Sequence, residues 1–89
     1  MLENIEVLYH SSIRIEKEKI IYIDPYKINK NYNDADIIFV THDHYDHYSE
    51  EDIDKVIKAG TTVVAPEDLL TKLLKKGFEK ENIVKELLQ

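Results

Sequence analysis

Ile37-Ile38-Phe39-Val40-Thr41-His42-Asp43-His44-Tyr45-Asp46-His47 is the stretch on which the reading of the chain turns. Its first four residues are apolar and three of them are β-branched, the pattern of a buried strand. The strand runs straight into three histidines and two aspartates within six residues. Downstream, Ser49 followed by Glu50, Glu51 and Asp52 predicts a helix N-cap with a capping-box partner at Asp52. Ile53, Val56 and Ile57 then form one apolar stripe, and Gly60 is the expected stop. Thr61–Ala65 reads as a short strand. Pro66 suits a first helical turn, with Leu69, Leu70, Leu73 and Leu74 as the buried face of a second helix. Gly77 fits a left-handed C-terminal position with Phe78 folding back toward Leu73, and Ile83-Val84 begins one more strand.

Upstream, Ile20-Ile21-Tyr22-Ile23 is another apolar run, expected to be covered on both faces. Asp24-Pro25 ends it, because proline lacks the ladder donor and restricts the residue before it. Lys27–Asp34 is polar and rich in asparagine, which predicts a surface loop. Before it, Val7 and Tyr9, then Ile13 and Ile15, alternate with polar residues as half-buried strands do. The charged Glu16–Lys19 stretch is the turn that joins the second of these to Ile20–Ile23. The order is hairpin strands followed by strand–helix–strand–helix, so the class is α/β with a mixed sheet.

Composition narrows the function classes. The 89 residues carry 18 acidic and 12 basic side chains, for a net charge of −6. That length allows one small domain and a core of limited size. The acidic balance disfavours nucleic acid and anionic membranes as partners. No apolar run approaches the roughly 20 residues that cross a bilayer. Glu3 and Glu6 do not fit a signal peptide. The chain has no cysteine, so thiolate metal sites and disulfide staples are excluded, and a cytoplasmic setting is the expectation.

The His42–His47 window carries the chemistry. In an extended conformation His42 and His44 project to the same side and can grip one cation. Asp46 and His47 follow after the chain begins to turn toward Ser49, and can address a second position a few ångströms away. Imidazole and carboxylate suit Zn²⁺, and also Mn²⁺, Fe²⁺ or Ni²⁺. Two such metals can hold a water, lower its pKa and polarise a substrate oxygen. The place agrees, because ligands in open α/β sheets gather beyond the carboxyl ends of strands. The competing reading is a polar loop that is merely rich in histidine; the spacing, the strand end and the flanking pattern all weigh against it. Asp24 reads equally as a turn residue before Pro25 or as part of the site, and His10 as a structural histidine or a ligand.

Thr41–His47 resembles the T-H-x-H-x-D-H signature of the metallo-β-lactamase fold superfamily of metal-dependent hydrolases. Leu8–Ser12, Ile13–Glu16 and Ile23-Asp24-Pro25-Tyr26 further resemble the branch of L-ascorbate-6-phosphate lactonase-like proteins, with Tyr9 where that branch usually has glycine. The likeness runs from Ile5 to about Val84. It implies an αββα sandwich of which residues 1–89 form a single partial domain, the N-terminal half. It also implies His42 and His44 on a first metal and Asp46 and His47 on a second. Asp46 would be the catalytic residue that orients or deprotonates the attacking water. Asp24 would support the centre by hydrogen bonding, with His10 near the same pocket. The family completes its site with a later histidine, an aspartate and a final histidine, none of which is found here.

Ligand counting agrees. A catalytic zinc takes about three protein ligands and a water, whereas the window supplies two per metal if shared. Adding Asp24 or His10 serves one site, not two. The leading expectation is therefore a metal-dependent hydrolase, Zn²⁺ first among metals, attacking an ester, lactone, amide or phosphate bond of a small molecule. It would need a second chain or a missing C-terminal half, either as a homodimer or with a complementary C-terminal chain. The alternative is a non-catalytic metal-binding or vestigial fragment that associates as a dimer.

Overall fold

The computed structural model describes residues 5–9, 12–41 and 49–85. Six strands form one sheet in simple sequence order: β1 (Ile5–Tyr9), β2 (Ser12–Glu16), β3 (Ile20–Ile23), β4 (Ile37–Phe39), β5 (Thr62–Ala65) and β6 (Ile83–Lys85). The first three pair antiparallel and the last four parallel. Helix α1 (Glu50–Val56) links β4 to β5. A 3-10 turn (Glu67–Leu69) leading into α2 (Leu70–Lys76) links β5 to β6. Both crossovers step the same way along the sheet, and right-handed connections then put both helices on one face.

Register sorts the side chains into two sets, because partners across a ladder share a face. Glu6, Arg14, Tyr22, Ile38, Val63 and Ile83 stand in line on the helix-covered face. Tyr22, Ile38 and Val63 are fully buried there against Ile53 and Val56 of α1, Leu69 and Leu73, and Phe78. The other face carries two rows. One is Val7, Ile13, Ile23, Phe39, Val64 and Val84; the other is Ile5, Ile15, Ile21, Ile37 and Thr62. Among the described residues no element covers these rows, and Ile21 and Ile23 are half-buried where the sequence predicts cover on both faces.

The hairpin strands hold a second correction. Their alternating apolar residues read as the core side, yet Val7 is 67% exposed and Arg14 is on the covered side. Arg14 can lie there because every part of its fork is engaged. Nε donates to the Tyr22 hydroxyl (2.9 Å), Nη2 to Asp34 (2.6 Å) and Nη1 to Glu16 (2.9 Å). The Tyr22 hydroxyl donates in turn to Asp34 (2.8 Å), and the guanidinium also sits over the rings of Tyr22 and Tyr32. Burial, and then the Asp34 carboxylate, push the Tyr22 phenol above its ordinary range, so it stays a protonated donor.

The segment between β3 and β4 is a strap rather than a solvated loop. Ile28 and Ala35 are buried in the core. The Asp52 carboxylate accepts the Ile28 N–H (2.8 Å), and Lys55 Nζ donates to the Ile28 carbonyl (2.8 Å). Tyr32 and Asn33 N–H groups donate to the Lys55 carbonyl, and Ala35 N–H to that of Val56. Those bonds take carbonyls that a longer helix would have used, which is why α1 ends at Val56 and not near Gly60. Its start is as expected, with Ser49 as N-cap bonded to Asp52. Leu69 of the 3-10 turn and Leu73 of α2 are buried, but Leu74 is 49% exposed. Gly77 takes φ +113° and Phe78 N–H reaches the Leu73 carbonyl.

Two predictions follow from packing and charge. Leu69→Ala is expected to cost about 2–5 kcal/mol in urea unfolding, whereas Leu74→Ala stays within about 0.5 kcal/mol. Asp36, at the amino ends of β3 to β5, accepts the Ile20 N–H (2.8 Å) and pairs with Lys58 (2.9 Å). The Ile20 N–H, then Lys58, hold its carboxyl below the ordinary value of 3.8. A lowered folded-state pKa makes the unfolded chain the stronger proton binder, so this stabilisation is present above about pH 4 and lost as pH falls through the folded value. Asp36→Asn should therefore flatten the fall of unfolding free energy on acidification below pH 4, read from denaturation midpoints.

Candidate metal centre

The carboxyl ends of β3, β4 and β5 meet at one end of the sheet, and β2 starts there because it runs antiparallel to β3. Backbone and side-chain bonds stitch these ends together. Asp24 N–H donates to the Phe39 carbonyl (2.7 Å) and Val40 N–H to that of Val64 (2.8 Å). Ser12, itself buried, accepts the Tyr26 N–H at Oγ (3.1 Å).

Asp24 is the centre of this stitching. It is buried and left-handed, with φ +49°. A residue before proline ordinarily avoids such backbone, and non-glycine residues held there cost about 1–3 kcal/mol. Aspartate tolerates the conformation better than most. Its carboxylate holds both donors of Thr41: Oδ1 accepts the Thr41 N–H (2.8 Å) and Oδ2 accepts the Thr41 hydroxyl (2.7 Å). Charge-assisted bonds of this kind are about twice as strong as neutral ones. The residue where β4's line leaves the sheet is thereby fixed in place and direction, one position before His42.

Of the residues singled out from the sequence, Asp24 is the one the described structure contains. His42, His44, Asp46 and His47 lie outside the described residues, as does His10. Their flanks are described. Thr41 is held by Asp24 and Ser49 caps α1, while Tyr9 pairs with Ser12 at this same end of the sheet. The fold thus brings Asp24 and the residues flanking His10 and His42–His47 to the carboxyl end of the parallel strands. Among the described residues no group of three or more His, Cys, Asp or Glu is placed to hold a metal. The donor set of His42, His44, Asp46 and His47, neutral nitrogen plus carboxylate oxygen, is the chemistry that a borderline divalent cation takes.

Sequence reasoning missed Thr41 and Ser12 as working parts. Thr41 was legible only as the first letter of the histidine motif. What it does depends on a carboxylate 17 residues earlier, and no local pattern announces that.

Residues 4–86 match the family model of the Beta-lactamase superfamily domain. A UPF0173 metal-dependent hydrolase from Exiguobacterium sp. is 33% identical over 84 residues, covering 84% of this chain and 37% of that protein. The crystal structure of a protein described as "putative metal-dependent hydrolase" from Parabacteroides distasonis superposes with a TM-score of 0.66 at 28% identity. That alignment covers 93% of this chain and 36% of the other. The chain therefore spans a little over a third of the length of these two relatives.

Removing the clamp tests its weight. Asp24→Ala leaves both Thr41 donors without this acceptor and should cost about 2–4 kcal/mol in chemical unfolding. Asp24→Asn should cost less than half as much, since asparagine tolerates the left-handed backbone and its amide group can still meet both Thr41 groups. A loss below about 0.5 kcal/mol in the alanine variant would show that the clamp contributes nothing.

Proposed function

The chain belongs to the beta-lactamase superfamily, and from that premise we propose that it serves a metal-dependent hydrolase. The observation that supports the reading is the clamp on Thr41, the first residue of the Thr41–His47 signature. Thr41 lies two residues beyond β4 and is held by a buried carboxylate, inside a family match of residues 4–86. His42 and His44 would hold a first divalent metal, and Asp46 and His47 a second. Zn²⁺ suits these ligands best, with Mn²⁺, Fe²⁺ or Ni²⁺ as alternatives. A metal bound there supplies Lewis acidity and brings the pKa of a bound water toward neutrality.

The chain's own residues have separate tasks. Asp46 orients the attacking water and takes its proton. Asp24 is a positioning residue that acts through Thr41. The substrate would be a small-molecule ester, lactone, amide or phosphate. The opening motifs favour the lactonase-like branch, and with it a sugar lactone or phosphorylated sugar acid in the cytoplasm. Two ligands per metal fall short of a working dizinc site, so the remaining ligands come from outside these 89 residues. The 89 residues make one partial domain of that site.

The experiment is a calorimetric Zn²⁺ titration with hydrolysis assays on lactones, esters and phosphodiesters. The chain is expected to bind Zn²⁺ at least about tenfold more tightly than a His42→Ala, His44→Ala double variant, with no turnover from the monomer above free metal. Equal binding by the double variant would overturn the metal assignment. Robust monomer turnover abolished by His44→Ala would overturn the claim that outside ligands are needed.

A further inference from the structure

The window His42–His47 lies between two described residues, Thr41 before it and Ser49 after it, and a buried carboxylate grips each of them. Upstream, Asp24 takes both donors of Thr41. Downstream, the Ser49 hydroxyl donates to Asp52 Oδ2 (2.7 Å) and accepts the Asp52 N–H (3.3 Å). Asp52 is only 6% exposed. Carboxylates are rarely buried to that degree unless paired, and the rest of this one's pairing lies on the strap. Its Oδ1 accepts the Ile28 N–H (2.8 Å), with Lys55 Nζ 3.7 Å away.

One short piece of chain, residues 24–28, therefore reaches both grips. Its middle is pinned as well: Ser12 Oγ accepts the Tyr26 N–H (3.1 Å), and Pro25 is fully buried. Two of the three described non-glycine residues with positive φ fall in this piece, Asp24 at +49° and Lys27 at +59°. Backbone of that kind persists only where its surroundings over-determine it. Here bonds at both ends and in the middle do so.

We infer that Asp52 is a positioning residue for the metal-binding window, acting as the downstream counterpart of Asp24 through residues 24–28. The two carboxylates fix where the window starts and where it ends, and neither needs to touch a metal to do so. A capping box alone would require Asp52 only at Ser49. The bond to Ile28, 24 residues earlier, is what joins the cap to the upstream grip. A metal that gathers ligands from a chain with loose ends has to order that chain, and each ordered residue loses backbone entropy. With both ends fixed by the fold, part of that ordering is complete before the metal arrives, and binding is tighter for it. The inference rests on the reading of His42–His47 as metal ligands.

Calorimetric Zn²⁺ titration of the 89-residue chain tests it, with each variant first shown to be folded by circular dichroism. Asp52→Ala should weaken Zn²⁺ binding at least about tenfold, the lower end of what partners of metal ligands contribute. Ser49→Ala cuts the downstream grip but leaves Ile28 its acceptor; it should show the same loss, and it stands in if Asp52→Ala does not fold. Asp52→Asn keeps an acceptor for Ile28 and a hydrogen-bonding group for Ser49 without the charge, and should bind within about twofold of wild type. Asp36→Asn loosens the strap at the opposite end of the sheet and should also stay within about twofold. Wild-type affinity in Asp52→Ala and Ser49→Ala overturns the inference while leaving the metal ligands in place. So does an Asp52→Asn variant as weak as Ser49→Ala, which would make charge rather than bonding the source. Equal weakness in Asp36→Asn overturns it too, by showing that any loosening of the strap suffices. A wild-type chain that binds no more tightly than the His42→Ala, His44→Ala double variant overturns the metal reading and this inference together.

Discussion

Two neighbouring parallel strands cannot be joined by a tight turn, and the segment that joins β3 to β4 shapes much of this molecule. A parallel connection needs about a dozen residues and usually a helix. Here the residues between Ile23 and Ile37 make the crossing without one, so their amides lack helical partners and cannot be buried unpaired. Helix α1 resolves the problem from its C-terminal end, where carbonyls are in surplus. Lys55 and Val56 carbonyls take the strap's N–H groups, and the Asp52 carboxylate takes another from Ile28. Each side satisfies what the other leaves open, and the length of α1 is set by that exchange. Asp24 and Asp36, at the two ends of the strap, then lock it to the sheet through Phe39, Thr41 and Ile20.

The polar groups inside this small core follow the same logic. Arg14, Tyr22 and Asp34 lie on the covered face and are fully engaged with one another. Among the described residues no buried side-chain nitrogen or oxygen lacks a partner. Such a network adds little net stability compared with apolar packing of equal volume. It holds the strap against the hairpin at one register, since any slip would strand a buried charge.

Much of this was legible along the chain. The six strands, both helices, the Ser49 cap and the Gly77 turn were readable because each rests on neighbours within a few residues. The histidine window was readable for the same reason. What could not be read was which side of a strand faces the core. Ile13 and Ile15 look like a buried face, and Arg14 looks like a solvated one. The choice was made by the Arg14–Tyr22 register and by Asp34, twenty residues beyond Arg14. Leu74 likewise matches a buried stripe in spacing, but the 3-10 start of α2 offsets the helix, so that Leu69 and Leu73 fill the core and Leu74 does not.

By itself, then, the sequence determined the strand and helix order and pointed to the superfamily, because periodicity, caps and motif spacing are local properties. Only the tertiary structure decided which face of the sheet the described helices cover. Only it decided that Asp24 accepts strained backbone in order to hold Thr41 with two bonds. Those outcomes depend on pairings between residues far apart in the chain, whose free energy exists only once the sheet has assembled.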